Sequence, residues 1–389
     1  MIGFQSVTAA TISGAFVFGL VLVLLESIQP LLAKRLNLAE GRVEWLLSAM
    51  NLTLIPMMFL SGLVIDKWDV EIVLIAGSLL TAGAVVSLAV SETTSRMLVS
   101  VLLLGAGGAC LSTSSSVLML AAFYPERAAA SQNLGNVFFA LGALISPMIA
   151  GRLLDRFQYR RGLIVLGSVC LLPALLAVLT SQAAFNLETG QGDTSSVLGR
   201  PILWLAAAMF LFYGPLEGSL GTWASRYLAD LRFSKGRSER LIVGFWLAFL
   251  ASRLLASFLE LHVVTGNTGQ AWFIITLALA AAISLGNMAG ARKGFSAGLG
   301  LVLVGLFFGP IFPTLVGIVF DQFRDARGTA YGGMFALGSI GNFFLPPLIG
   351  TYARRATVQR AMRIPMALAL VVALVAFVLA LYLQIARQN

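Results

Sequence analysis

The sequence predicts an all-α integral membrane protein with twelve transmembrane helices in two pseudo-symmetric six-helix bundles. Three observations predict it. The 389-residue chain is 58% apolar and only 11% charged, whereas an average soluble domain is roughly 45–50% apolar and about 25% charged. Its apolar residues gather in stretches close to the about 20 residues that cross a bilayer as a helix. Features of the first half of the chain also return in the second half at a near-constant offset.

Hydropathy places the spans at about 8–32, 43–65, 70–91, 96–123, 130–153, 161–184, 200–227, 241–262, 270–290, 294–320, 329–352 and 364–386. Barrel strands alternate, whereas these runs are apolar throughout, so the spanning elements are helices. The first apolar run opens almost at Met1, with no basic n-region and no small-residue cleavage site, and reads as a first span. The longest polar break, Gln182 to Arg200, is rich in Gly, Thr, Ser and Gln. It predicts a linker over 185–199 between one bundle at 1–184 and another at 200–389.

The repeat is in register across several helices. Leu25-Glu26 followed by Lys34-Arg35 matches Leu216-Glu217 followed by Ser225-Arg226 at an offset of 191. Gly142, Pro147, Gly151 and Arg156 match Gly341, Pro346, Gly350 and Arg355 at 199, as Glu126 matches Asp325. Duplicated halves are how many secondary transporters are built.

Several chemistries are excluded. Cys110 and Cys170 both lie in apolar runs, which implies no disulfide framework. A single histidine, His262, argues against an imidazole metal site, and no CxxC, HExxH or Walker motif occurs. The chain is expected to need no metal or cofactor, to bind no nucleic acid and to catalyse no reaction.

Gly62-Leu-Val-Ile-Asp66-Lys67 follows span two. A Gly there permits close helix approach, and an Asp can cap or charge-pair at a helix end. This run resembles the G-x-x-x-D-[R/K] loop signature of the major facilitator superfamily, and the resemblance extends over the whole chain. Within that superfamily the sequence is most similar to the fucose permease group of sugar:proton symporters. Glu26, four residues before Pro30, resembles that group's first-span acid. Gly107-Gly-Ala-Cys-Leu-Ser112-Thr113 resembles its G-x-G-C-L-E-T stretch, with Ser112 in place of the acid. Phe212-Tyr213-Gly214 with Glu217 and Trp223, and Gly305-Leu306 through Phe312-Pro313-Thr314, are similar to its seventh and tenth spans.

Two acids and one base stand inside apolar helices. Glu26 in mid-membrane would cost about 2.5 kcal/mol or more if left charged and unpaired, so such residues face an interior cavity, where they can carry a proton. The plainer alternative is a structural hydrogen bond to a neighbouring helix. Glu217 holds the equivalent place in the second half, and Arg253, the one base well inside a span, is its natural partner. That pair either switches when substrate or a proton competes, or locks the second half as a static salt bridge. Glu26, Glu217 and Arg253 are the proton-coupling candidates.

Gln29, Asn51, Ser112, Thr113, Asn133, Asn136 and Asn342 supply amides and hydroxyls suited to a polyhydroxylated ligand. Small polar residues also serve as interhelical glue. Tyr213 and, less centrally, Trp223 are candidate aromatic platforms for a sugar's C–H face. Glu260 and His262, at the end of span eight, read as a solvated helix end. Gly62, Asp66 and Lys67 are gating candidates. Gly142 and Pro147, with Gly341 and Pro346, are candidates for helix bending.

Family topology puts both termini in the cytoplasm. Nineteen basic residues would then face outward, among them Arg156, Arg160, Arg161, Arg237 and Arg240. Only Lys67, Arg127, Arg200, Arg324, Arg327 and Arg387 would face in, the reverse of the positive-inside rule. The functional expectation is a monomeric, multi-pass secondary transporter in the cell membrane, moving a small polar solute, a sugar, with protons. The alternatives are an exporter of drugs or amphipathic metabolites, and a non-transporting receptor or lipid-moving protein.

Overall fold

The computed structural model describes residues 2–36, 40–180, 194–291, 294–342, 351–352 and 358–388. Among them there is no strand, and the helices are α1 (Ile2–Leu36), α2 (Glu40–Lys67), α3 (Val70–Val90), α4 (Thr94–Ala122), α5 (Ala128–Val169), α6 (Leu172–Val178), α7 (Thr194–Gly199), α8 (Pro201–Asp230), α9 (Lys235–His262), α10 (Gly266–Gly290), α11 (Gly294–Phe308), α12 (Ile311–Gln322), α13 (Arg327–Gly338), α14 (Val358–Ala361) and α15 (Arg363–Gln388). An apolar medium offers the backbone no partners, and a helix satisfies its own amides. Ten described segments are long and apolar enough to cross a membrane, and Pro201–Glu217 forms a shorter apolar helix. α13 opens span eleven, whose continuation at 343–350 lies outside the described residues, as does the linker up to residue 193.

Local chemistry sets the breaks. Asp69 caps α3 by accepting from the Glu71 amide at 3.2 Å, and Thr93 caps α4 from Arg96 at 3.4 Å. Within α5 the helix is interrupted at Gln158, whose backbone leaves the helical region with φ 63° and ψ 164°. Span ten is broken between α11 and α12 at Gly309-Pro310. Pro313 carries no N–H, so the carbonyl of Gly309 loses the donor that would lie four residues on.

The chain divides into two compact units. One holds Met1–Glu126, Gly135–Val197 and Phe323–Gly333; the other holds Arg127–Leu134, Leu198–Gln322 and Met334–Asn389. In the first, α4 is buried on every side from Leu104 to Leu120, as expected of a central helix. α2 and α13 meet backbone to backbone: a Cβ at Gly62 would overlap the Gly328 carbonyl, and one at Gly332 the Met58 carbonyl. Gly142 of α5 is pressed likewise against the Phe16 carbonyl of α1. In the second unit, Gly341 stands in the same relation to the Leu211 carbonyl of α8, and Gly317 of α12 lies on the backbone of Ala129. Outward-turned apolar side chains such as Leu179, Ile283 and Phe295 complete a multi-pass integral membrane protein.

Candidate functional site

The second unit contains an ion pair inside apolar helices. Glu217 of α8 and Arg253 of α9 approach to 3.5 Å between Oε1 and Nη2, and the Arg253 side chain is only 1% exposed. The guanidinium lies over the Phe249 ring at 4.4 Å. Its Nε donates to the Gly309 carbonyl at 3.0 Å, the group that Pro313 leaves without a helical donor. One turn before Glu217, Tyr213 is fully buried and donates its hydroxyl to the Phe308 carbonyl at 2.6 Å. Two α8–α9 side chains therefore hold both carbonyls at the break in span ten. Tyr213, expected to offer a ring face to a solute, is instead enclosed against Phe308, edge to face with centroids 5.8 Å apart.

Beside this cluster, Phe210, Phe312 and Phe335 form an aromatic group with centroids 4.7 to 6.3 Å apart. In the first unit, Glu26 lies exposed on α1 between buried Leu25 and Ile28, with no hydrogen bond or ion pair among the described residues. Gln29 is half-buried, and Asn51 and Asn342 are exposed in their respective units.

The remaining polar candidates are buried and engaged with protein. Ser112 pairs with the Tyr331 hydroxyl at 3.1 Å. Thr113 accepts from Ser61 at 3.1 Å and donates to the Ala109 carbonyl at 2.9 Å. Asn136 is 7% exposed. The side chain of Trp223 and all of Pro346 lie outside the described residues.

The gating candidates divide sharply. Asp66 is buried, and its two carboxylate oxygens accept from the amides of Gly328 at 2.9 Å and Thr329 at 2.6 Å. These are free N–H groups of the first turn of α13, so Asp66 caps that helix and meets the positive end of its dipole. The close approach at Gly62 lets it reach them. Lys67, one residue on, is exposed, as is Pro147.

One expectation is overturned. Glu260 is not a solvated helix end: it is 1% exposed. Its Oε2 accepts from Asn133 Nδ2 at 2.8 Å, and its Oε1 accepts from the Thr314 hydroxyl at 2.6 Å. The first turns of α5 and of α12 meet it; of the two residues, only His262 is exposed. A usable signal was present. Asp66 and Glu260 are 194 residues apart, inside the range of offsets that relates the two halves.

Comparison with known proteins agrees with this architecture. Residues 11–346 match the sequence pattern described as Major Facilitator Superfamily. FucP in its outward conformation superposes with a TM-score of 0.77 at 18% identity, over 95% of this chain and 97% of that one. A variant of the same protein, named as the E. coli fucose:proton symporter, gives 0.71 at 19% identity, over 97% and 98%. The proton:xylose symporter XylE gives 0.73 at 15% identity, over 96% and 95%. At such identities these likenesses speak for the fold alone. In sequence, 204 residues are 26% identical to the methyl viologen resistance protein SmvA of Salmonella typhimurium, which is 50% of this chain and 39% of that protein. The chain thus spans well under half the length of that relative. With a family match over residues 11–346, the chain belongs to the major facilitator superfamily.

Proposed function

We propose that this transporter moves a small polar solute, a sugar, by proton-coupled alternating access, acting as a monomer of two six-helix halves joined by the 185–199 linker. The Glu217–Arg253 pair carries the reading. An ion pair between a buried arginine and a half-buried carboxylate is a costly way to join two helices, and it earns retention where one charge can change partner. Arg253 keeps a carbonyl on Nε while Nη2 holds Glu217, so the carboxylate can be released without freeing the arginine. Glu26 binds and releases the proton. The amides of Gln29, Asn51 and Asn342 contact the ligand, and Ser112, Thr113, Asn133, Asn136 and Tyr213 shape the site from behind. Asp66 with Gly62, and Gly142 and Gly341 at their notches, are the parts that make and break as the halves rock. The FucP and XylE likenesses, which are to proton symporters of sugars, support this reading.

The test is uptake into proteoliposomes under an imposed pH gradient. Glu26→Gln should abolish uphill uptake and leave counterflow exchange; loss of neither removes Glu26 from the proton path. Orientation is tested separately: a C-terminal reporter should lie in the cytoplasm, with the basic loops outside.

A second reading is export of amphipathic compounds. It is favoured by the likeness to a methyl viologen resistance protein and by the Phe210, Phe312 and Phe335 group. A thermal-shift panel of sugars against lipophilic cations on purified protein separates the two.

A further inference from the structure

Glu260 lies in a built polar site that the transport reading does not use. No cation is paired with it among the described residues, and its contacts are neutral: the amide of Asn133 and the hydroxyl of Thr314. Asn133 Nδ2 also reaches Thr314 Oγ1 at 3.1 Å and the Ala129 carbonyl at 3.2 Å. Asn133 Oδ1, in a fully buried side chain, accepts from no donor among the described residues. The cluster therefore holds a carboxylate without a counter-charge and an amide oxygen without a hydrogen. Neither is stable alone in a dry site.

The charged groups around it do not relieve this. From α12 the nearest charge is Asp321, of the same sign. Exposed Arg127 stands one residue before α5, α9 itself brings exposed His262, α11 carries no ionisable side chain, and α10 offers neutral Gln270.

We infer that Glu260 is a second proton-binding carboxyl, and that Asn133 and Thr314 are shaped to hold it in both protonation states. With Glu260 ionised, Thr314 donates to Oε1 and Asn133 donates to Oε2, as seen. When a proton from the aqueous phase binds Oε2, a half-turn of the Asn133 amide brings Oδ1 round to accept it. An amide keeps its shape in such a turn. The same half-turn carries Nδ2 away from the Ala129 carbonyl and from Thr314 Oγ1, so those two weaker contacts are given up. Alternatively the proton sits on Oε1 and the 2.6 Å contact reverses, with Thr314 Oγ1 accepting and its own hydrogen turning away. The site also ties α9 to the first turns of α5, since Ser257 of α9 donates to the Ala130 carbonyl at 2.9 Å. Loss of the negative charge weakens both charge-assisted bonds at that junction.

This deepens the proton-coupled reading, yet its test reads a proton on Glu260 without any solute. Infrared difference spectra of the purified full chain, taken between acid and alkaline pH, should contain a protonated-carboxyl C=O band. Glu260→Gln should lose that band, whereas Glu26→Gln and Glu217→Gln keep it. Thr314→Val should retain the band and shift the pH at which it disappears. An unchanged set of bands in Glu260→Gln overturns the inference, and so does an unmoved midpoint in Thr314→Val. If Glu260→Gln does not fold, the Thr314→Val midpoint decides. Replacing sodium by choline should leave the midpoint in place; a sodium-dependent midpoint would assign the site to an alkali cation and overturn it equally. Failure of the Glu26→Gln uptake test with the Glu260 band present would remove Glu26 from the proton path and leave this site standing.

Discussion

Asp66 and Glu260 end the second helix of their respective halves, and they satisfy their carboxyl groups in opposite ways. Asp66 meets two backbone amides at the first turn of α13, a donor set that cannot rotate away and that belongs to a helix dipole. Glu260 meets an amide and a hydroxyl that can both turn. Repeated halves thus each supply a carboxylate near the end of the second helix but with different partners. The backbone-capped acid suits a fixed negative charge, and the side-chain-capped acid suits one that comes and goes. The asymmetry shows that duplication preserves positions, while the chemistry at each position depends on what the neighbouring helix presents.

Three stability measurements on the purified protein would sharpen or break that contrast. The largest effect is expected from Gly328→Val, which would drive a side chain into the Gly62 carbonyl and pull Asp66 off both amides. Overpacking of this kind costs about 1–3 kcal/mol or more, and thermal unfolding should show the greatest fall for this variant. Asp66→Ala should come next, with a loss of about 1–2 kcal/mol, the range for a helix cap. The smallest effect is expected from Glu260→Gln, about 0.5 kcal/mol or less, because neutral amide and hydroxyl partners accept a neutral replacement. If Glu260→Gln proved as damaging as Asp66→Ala, the two acids would be equivalent fixed charges and the contrast would fail.

Much of the fold was legible because apolar length and offset repeats are local signals. Hydropathy alone found the helices, and an arginine inside an apolar run pointed to its glutamate across two helices. The misreading of Glu260 has a definite cause. It sits two residues before the end of α9, where hydropathy treats any acid as solvated, and what covers it comes from 127 and 54 residues away in the chain. Ser112, a candidate both for ligand contact and for interhelical glue, likewise meets a partner, Tyr331, that lies 219 residues on. Tyr213 shows a third limit. An aromatic side chain beside an acid looks like a sugar platform in sequence, but a freed carbonyl at a helix break can claim its hydroxyl first.

That break has one more consequence. A guanidinium carries five donors in a rigid fork, and at Arg253 one of them is assigned to a carbonyl that proline has deprived of its usual helical partner. The remaining donors can then exchange partners while the base stays in place. Arg253 is in this sense a swivel, with its pin in the backbone of span ten and its arm on Glu217. A lysine could supply the charge but not the pin and the arm together, so the local geometry calls for arginine.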